Sequence, residues 1–127
     1  MEPPLRPVIS AVELEEGLVV VAEVPPDAAA ALTVGGPPQT ILITTPGQNG
    51  RVTFTGRAGQ PVTIFLTDIT IPIAFVSILK PDGTTLVSNQ FVGYPKTITT
   101  TPTVDGTYTI VIDPRDTGTG SMTLAAA

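Results

Sequence analysis

Ala74-Phe75-Val76-Ser77-Ile78-Leu79-Lys80-Pro81-Asp82-Gly83-Thr84-Thr85-Leu86-Val87 sets two apolar, β-branched runs on either side of a Pro-Asp-Gly step. Proline presets φ at the first central position of a turn, Asp tolerates the second, and glycine takes the positive φ that follows. A short turn between two β-prone runs predicts an antiparallel hairpin. Alternation puts Ala74, Val76 and Ile78 on one face of its first strand and Phe75, Ser77 and Leu79 on the other.

The same punctuation recurs through the rest of the chain. Thr40 to Thr45 reads as a strand closed by Pro46-Gly47-Gln48-Asn49-Gly50, and Arg51 to Gly56 as the next, with Val52 and Phe54 inward. Pro61 to Thr67 places Val62, Ile64 and Leu66 on one face. Lys96 to Thr101 is a mostly polar strand, and Asp105-Gly106 is a second turn dipeptide. Thr107 to Ile112 aligns Tyr108, Ile110 and Ile112, and Ser121 to Ala125 turns Met122 and Leu124 inward. Strands about 8–12 residues apart, eight or so in all, predict an all-β, antiparallel β-sandwich or jelly roll over residues 39–127.

Residues 1–38 read differently. Met1 to Pro7 is an extended, proline-rich arm. Val8 to Glu15 alternates, with Val8, Ser10, Val12 and Leu14 on one side. After a Glu16-Gly17 turn, Leu18, Val20, Ala22 and Val24 share a face of a second strand. Ala28 to Leu32 is expected to form one helical turn capped by Asp27. Gly35-Gly36-Pro37-Pro38 reads as a linker and marks the boundary between this arm and the sandwich.

Composition narrows the function classes. The 127 residues suit one domain with a core of useful size. Charged residues make up 13%, roughly half the usual share, and the net charge is −5. The six basic residues are scattered, which argues against a nucleic-acid footprint. Every Glu lies by residue 23 and every Asp from residue 27 onward, so the opening segment is set apart. No apolar run is long enough to cross a bilayer as a helix. Leu18 to Ala22 is too short for a signal-peptide core, so an export signal is expected to have been removed or to lie elsewhere in a longer protein.

Enzyme chemistry finds little support. The chain has no His and no Cys, hence neither the common general base nor a thiol nucleophile or thiolate ligand. Its serines lack a nucleophile-elbow context, and no Gly-rich phosphate-binding motif appears. The expectation is a non-enzymatic protein that needs no cofactor. Calcium is the best candidate cation, since Asp113 and Asp116 share a loop with hydroxyls and carbonyls, and Asp68 joins them if the sandwich brings those loops together. Asx-turn chemistry accounts for the same residues, and both readings stay open. Most aromatics fall at alternating, core-like positions; Phe91 and Tyr94, beside a loop, are the candidates for stacking on a carbohydrate.

The run Thr45 to Gln60, with Val76-Ser77-Ile78-Leu79-Lys80-Pro81-Asp82-Gly83-Thr84 and Asp105-Gly106-Thr107-Tyr108-Thr109-Ile110, resembles bacterial pre-peptidase C-terminal-like (PPC-like) domains. The resemblance spans about Gln39 to Leu124. It implies a jelly-roll sandwich, export to the cell surface or beyond, and an accessory rather than catalytic role. Asp68 departs from it, standing where a small or neutral residue is expected.

The apolar strands of residues 8–24 are then left over and need cover. They either fold back on their own sheet or add to a neighbouring copy, as in donor-strand complementation. Val8, Val12, Leu14, Leu18, Val20, Ala22 and Val24 would carry the second option, giving a homo-oligomer or filament. Two functions remain in play: an extracellular structural module that self-assembles, or a glycan- or ligand-binding accessory domain of a secreted enzyme or adhesin.

Overall fold

A computed structural model describes the backbone strands at residues 8–13 and 19–24, and residues 26–127 in full. Among the described residues there are eleven strands and no helix. They are β1 (Val8–Glu13), β2 (Val19–Val24), β3 (Ala28–Ala31), β4 (Gln39–Ile43), β5 (Gly50–Gly56), β6 (Val62–Thr67), β7 (Ala74–Leu79), β8 (Thr85–Val92), β9 (Lys96–Thr100), β10 (Gly106–Pro114) and β11 (Gly120–Ala126). A five-stranded sheet, β3-β5-β10-β7-β8, packs on a four-stranded sheet, β4-β11-β6-β9. The pair β1-β2 makes a separate two-stranded sheet. The all-β sandwich that the alternation predicts is the fold, and β4 to β11 are its eight expected strands.

Alternation drives the packing. Val52 and Phe54 of β5, Val62, Ile64 and Leu66 of β6, Val76 and Ile78 of β7, Tyr108, Ile110 and Ile112 of β10 and Met122 and Leu124 of β11 are all buried between the sheets. Among the described residues no buried polar or charged residue interrupts this core. Phe54 and Tyr108 stack at 5.6 Å, and the Tyr108 hydroxyl donates to the Val104 carbonyl at 2.7 Å while accepting from the Val104 N–H at 3.2 Å. The buried ring therefore meets its one polar requirement in the loop at residues 101–105.

The helical turn expected at Ala28 to Leu32 does not form. This segment is β3, an edge strand parallel to β5. The Ala28 N–H donates to Asn49 O and the Leu32 N–H to Thr53 O, and Leu32 is buried. One isolated helical turn bears the full nucleation cost, which these sheet bonds and the Leu32 anchor outweigh. Asp27 accepts a bond from Arg51 Nε at 2.7 Å instead of capping a helix. The sandwich thus includes residues on the N-terminal side of the linker at residues 35–38.

The Pro-Asp-Gly turn closes as its residues dictate. Gly83 N–H donates to Lys80 O at 2.9 Å, and Gly83 adopts φ +88°. Asp82 Oδ1 accepts from Thr84 Oγ1 at 2.6 Å and from Thr84 N at 2.9 Å. These bonds favour the ionised form and hold the Asp82 carboxyl below its ordinary 3.8. A depressed folded-state pKa means the turn's carboxylate bonds are present above the ordinary Asp range and lost as pH falls through the lowered value. Carboxyl NMR titration should place Asp82 below its ordinary 3.8, and Thr84→Val should move it back toward that value. An unchanged titration in that variant would show that the hydroxyl bond is not the cause.

Beyond the turn, β7 and β8 pair with register shifts between Val76 and Leu79. Asn89, at φ +29°, donates its N–H to Ser77 Oγ, which in turn donates to Asn89 Oδ1, both at 3.0 Å. The irregularity makes the exposed edge of β8 a poor template for another strand.

The outer face of the four-stranded sheet carries no charge. Thr40 and Leu42 of β4, Ser121, Thr123 and Ala125 of β11, Thr63, Phe65 and Thr67 of β6 and Thr97 and Thr99 of β9 alternate with the buried residues. Thr40 Oγ1 lies 2.9 Å from Thr123 Oγ1, and Thr63 Oγ1 lies 3.2 Å from Thr99 Oγ1. Phe65 is thus on the outside, unlike the core position expected of most aromatics.

Candidate functional site

Strand direction sorts the loops to two ends of the sandwich. The connections at residues 44–49, 68–73, 93–95 and 115–119 share one end, where the chain also enters β3. We call this the Tyr94 end. All five residues singled out for ligand or metal binding, Asp68, Phe91, Tyr94, Asp113 and Asp116, fall at or beside it.

Two features meet there. The first is an aromatic row on the outer face of the five-stranded sheet. Register sets Asp113 of β10 opposite Phe75 of β7, and Phe75 opposite Phe91 of β8. The Phe75 and Phe91 rings pack edge to face with centroids 6.1 Å apart. Phe91 stays 48% exposed and Tyr94, in the next loop, 71% exposed. Both exceed what a core role would leave open, as expected from their place beside a loop. Lys96 Nζ donates to the Phe91 carbonyl at 3.4 Å, setting a cation beside the row.

The second feature is an open groove of about 470 Å³ lined by Pro72, Ile73 and the turn from Arg115 to Thr119. The Arg115 N–H donates to Ile73 O at 2.9 Å, stitching the two loops together. Thr70 fixes the first loop on β11: its N–H donates to Ser121 O, and its Oγ1 accepts from the Ser121 N–H at 2.7 Å. Alternation links groove to row, because Ile73 lies two residues before Phe75 and Arg115 two residues after Asp113. A Cβ added at Gly93 would stand 3.5 Å from the Phe91 ring and 3.5 Å from Pro72 O, so the row borders the groove wall.

The carboxylates are dispersed along this end. Asp113 belongs to the sheet face, while Asp68 and Asp116 take positive φ (+48° and +56°) in separate loops. Asp116 lies 3.7 Å from Arg115 Nε across an exposed pair. Among the described residues no three Asp, Glu, His or Cys side chains come close enough to hold a metal ion. What the geometry offers instead is an apolar, partly aromatic shelf with carboxylates, hydroxyls and two cations around it. Such a surface suits a polar ligand with flat apolar faces.

Sequence reading found the aromatics and the acids but missed Pro72, Ile73 and Arg115. Their role depends on two loops more than 40 residues apart, and only the Ile73-Phe75 and Asp113-Arg115 alternation hinted at it. Of the self-assembly candidates, Val8 and Val12 lie on β1 and Val20, Ala22 and Val24 on β2; Leu14 and Leu18 lie outside the described residues. The β1-β2 register sets Val8 against Val24, Ser10 against Ala22 and Val12 against Val20, so the two expected faces form one. Glu13 and Glu23 fall on the other face, with Ile9, Ala11, Val19 and Val21.

The profile of the bacterial pre-peptidase C-terminal domain matches residues 49–114, just over half of the chain. No curated protein sequence matches the chain. Among solved structures the chain is similar to the pre-peptidase C-terminal domain of a collagenase from Bacillus anthracis, at 14% identity and a TM-score of 0.59, over 81% of this chain and 98% of that one. It is also similar to PliG, a periplasmic inhibitor of g-type lysozyme from Aeromonas hydrophila, at 13% identity and TM-score 0.54, over 80% of this chain and 99% of the inhibitor. A third likeness is to CorA, a surface-associated copper-binding protein of Methylomicrobium album BG8, at 11% identity and TM-score 0.53, over 80% and 98% of the two chains. At these identities the likenesses establish a shared fold.

Proposed function

The chain belongs to the bacterial pre-peptidase C-terminal domain family, and from that membership we propose that it is a non-catalytic accessory module of an exported bacterial protein, binding a carbohydrate at its Tyr94 end. The observation that carries this reading is the convergence of exposed Phe91 and Tyr94 with the groove of Pro72, Ile73 and Arg115. Sugar rings have apolar faces that stack on aromatic rings and hydroxyl edges that bond carboxylates and cations, and this end presents both. The absence of His and Cys from the sequence supports a binding role over a catalytic one. Export is supported by the family and by the periplasmic and surface locations of the inhibitor and the copper-binding protein.

A glycan array tests the reading. The full chain is expected to bind a subset of glycans, and Tyr94→Ala and Phe91→Ala are each expected to weaken that binding roughly tenfold, the loss of one stacking contact of about 1.4 kcal/mol. Both side chains are surface-exposed, so the fold should persist. An array without signal, or signal indifferent to both substitutions, counts against it.

The β1-β2 pair favours a second reading, self-association. A lone two-stranded sheet is marginal in water, and one face of this one carries no charged residue. Cover from another copy of the chain would stabilise it and join the accessory modules into a larger assembly.

A further inference from the structure

The ladder between β7 and β8 is interrupted at Ser77. Val76 pairs with Gln90 and Ile78 with Val87, so Ser88 and Asn89 together stand opposite Ser77. Extra residues of this kind re-aim a side chain, and they recur beside binding sites. The backbone of Asn89 is left-handed, at φ +29°, which glycine would adopt without steric cost. An asparagine there keeps an amide that the bulge itself does not require. Ser77 orients that amide. Its Oγ accepts the Asn89 N–H and spends its single hydrogen on Oδ1, so Nδ2 is turned away with two donors. Among the described residues the Asn89 side chain bonds Ser77 alone, and Asn89 is exposed.

Ser77 lies two residues after Phe75, and Asn89 two before Phe91. The oriented amide therefore shares the outer face of the five-stranded sheet with the aromatic row, one step further from the Tyr94 end. We propose that the binding site continues onto this face and that Asn89 Nδ2 is its specificity-determining donor, bonding a hydroxyl of a neutral sugar ring stacked on Phe91. This rests on the carbohydrate reading and names the sugar class and the group that selects it.

Spacing and charge both fit a neutral ring. Asp113 flanks Phe75 on the side away from Phe91. Strand spacing and rise put the Cα atoms of Asp113 and Asn89 roughly 12 Å apart, with the two phenyl rings between them. One pyranose ring with a hydrogen bond of about 2.8 Å at each end fits that span, a hydroxyl donating to Asp113 and another accepting from Asn89. A carboxylate or sulfate on the ring would meet the Asp113 charge and gain only an uncharged amide in return. Lys96, the cation beside the row, donates to the Phe91 carbonyl. A site that bonds a ligand hydroxyl rejects analogues lacking it, which is how one amide can set specificity.

Calorimetric titration of the full chain tests it, with neutral tetrasaccharides built on glucose, mannose, galactose or N-acetylglucosamine and with tetragalacturonate as the acidic probe. Asn89→Asp keeps an oxygen for the Ser77 hydroxyl and tolerates the left-handed backbone, but replaces the two donors with an acceptor. It is expected to weaken the tightest neutral tetrasaccharide about tenfold, the loss of one hydrogen bond, with the urea midpoint unchanged. Asn89→Gly carries the same affinity expectation should the new charge disturb the fold. In the native chain, the Asn89 side-chain amide resonances are expected to shift on saturation with that sugar. Affinity lost in Phe91→Ala but kept within about twofold in both Asn89 variants overturns this inference and leaves the carbohydrate reading standing. So does tetragalacturonate binding more tightly than every neutral probe. No binding to any of these sugars or to the array overturns both.

Discussion

Tyr108→Ala is expected to lower the unfolding free energy by about 4 kcal/mol, in the range measured for removing a buried large aromatic. Tyr108 is fully buried near the start of β10, the strand that joins β5 to β7. Its ring stacks on Phe54, and a Cβ placed at Gly56 would sit 2.8 Å from it, so the pocket is filled on both sides. Alanine leaves a cavity that rigid strands cannot collapse, and releases the loop at residues 101–105 from the hydroxyl. Tyr108→Phe keeps the packing and is expected to cost about 1 kcal/mol, because Val104 is exposed and water can replace the lost bonds. Urea unfolding of the two variants separates these contributions. A loss below about 1 kcal/mol for alanine would mean that the β10 core is not packed as described.

Gly120→Ala is expected to cost about 3 kcal/mol, through backbone strain and overpacking together. Gly120 opens β11 at φ +142°, where an added Cβ would stand 2.7 Å from Thr70 Oγ1 and 2.8 Å from Ile71 N. Two of the three nearest atoms are backbone, so the loop at residues 68–73 would have to move as a whole. That loop carries Pro72 and Ile73 into the groove, so ligand affinity should fall with stability. Gly83→Ala is the control: φ is also positive, but nothing lies within 4 Å of the added carbon. Its cost should be that of backbone strain alone, about 1 kcal/mol. Equal effects at the two positions would show that the close approach at Gly120 does not matter.

The sandwich was legible because its strands are amphipathic at period two. Val62-Thr63-Ile64-Phe65-Leu66-Thr67 names its inner face outright, and in doing so it already assigns Phe65 to the outside. β3 was not legible. Four consecutive alanines have no periodicity, and the partner of Ala28 is Gly50, a parallel neighbour whose pairing no local turn announces. The candidate site was half legible. Phe91 and Tyr94 stood out because they flank a loop after a strand, whereas the groove exists only where residues 68–73 meet residues 115–119. The same dispersal explains why acids that look like a cation loop in sequence, Asp113 and Asp116 with Asp68, do not form a three-acid cluster among the described residues.

Amide NMR of the full chain, titrated with a soluble oligosaccharide chosen from the array, tests most directly whether the Tyr94 end is a recognition surface. Shifts concentrated at residues 72–75, 91–96 and 113–119, with residues 101–105 at the opposite end unmoved, are the predicted result. Shifts centred on the opposite end, or none at a concentration that saturates the array signal, would contradict it.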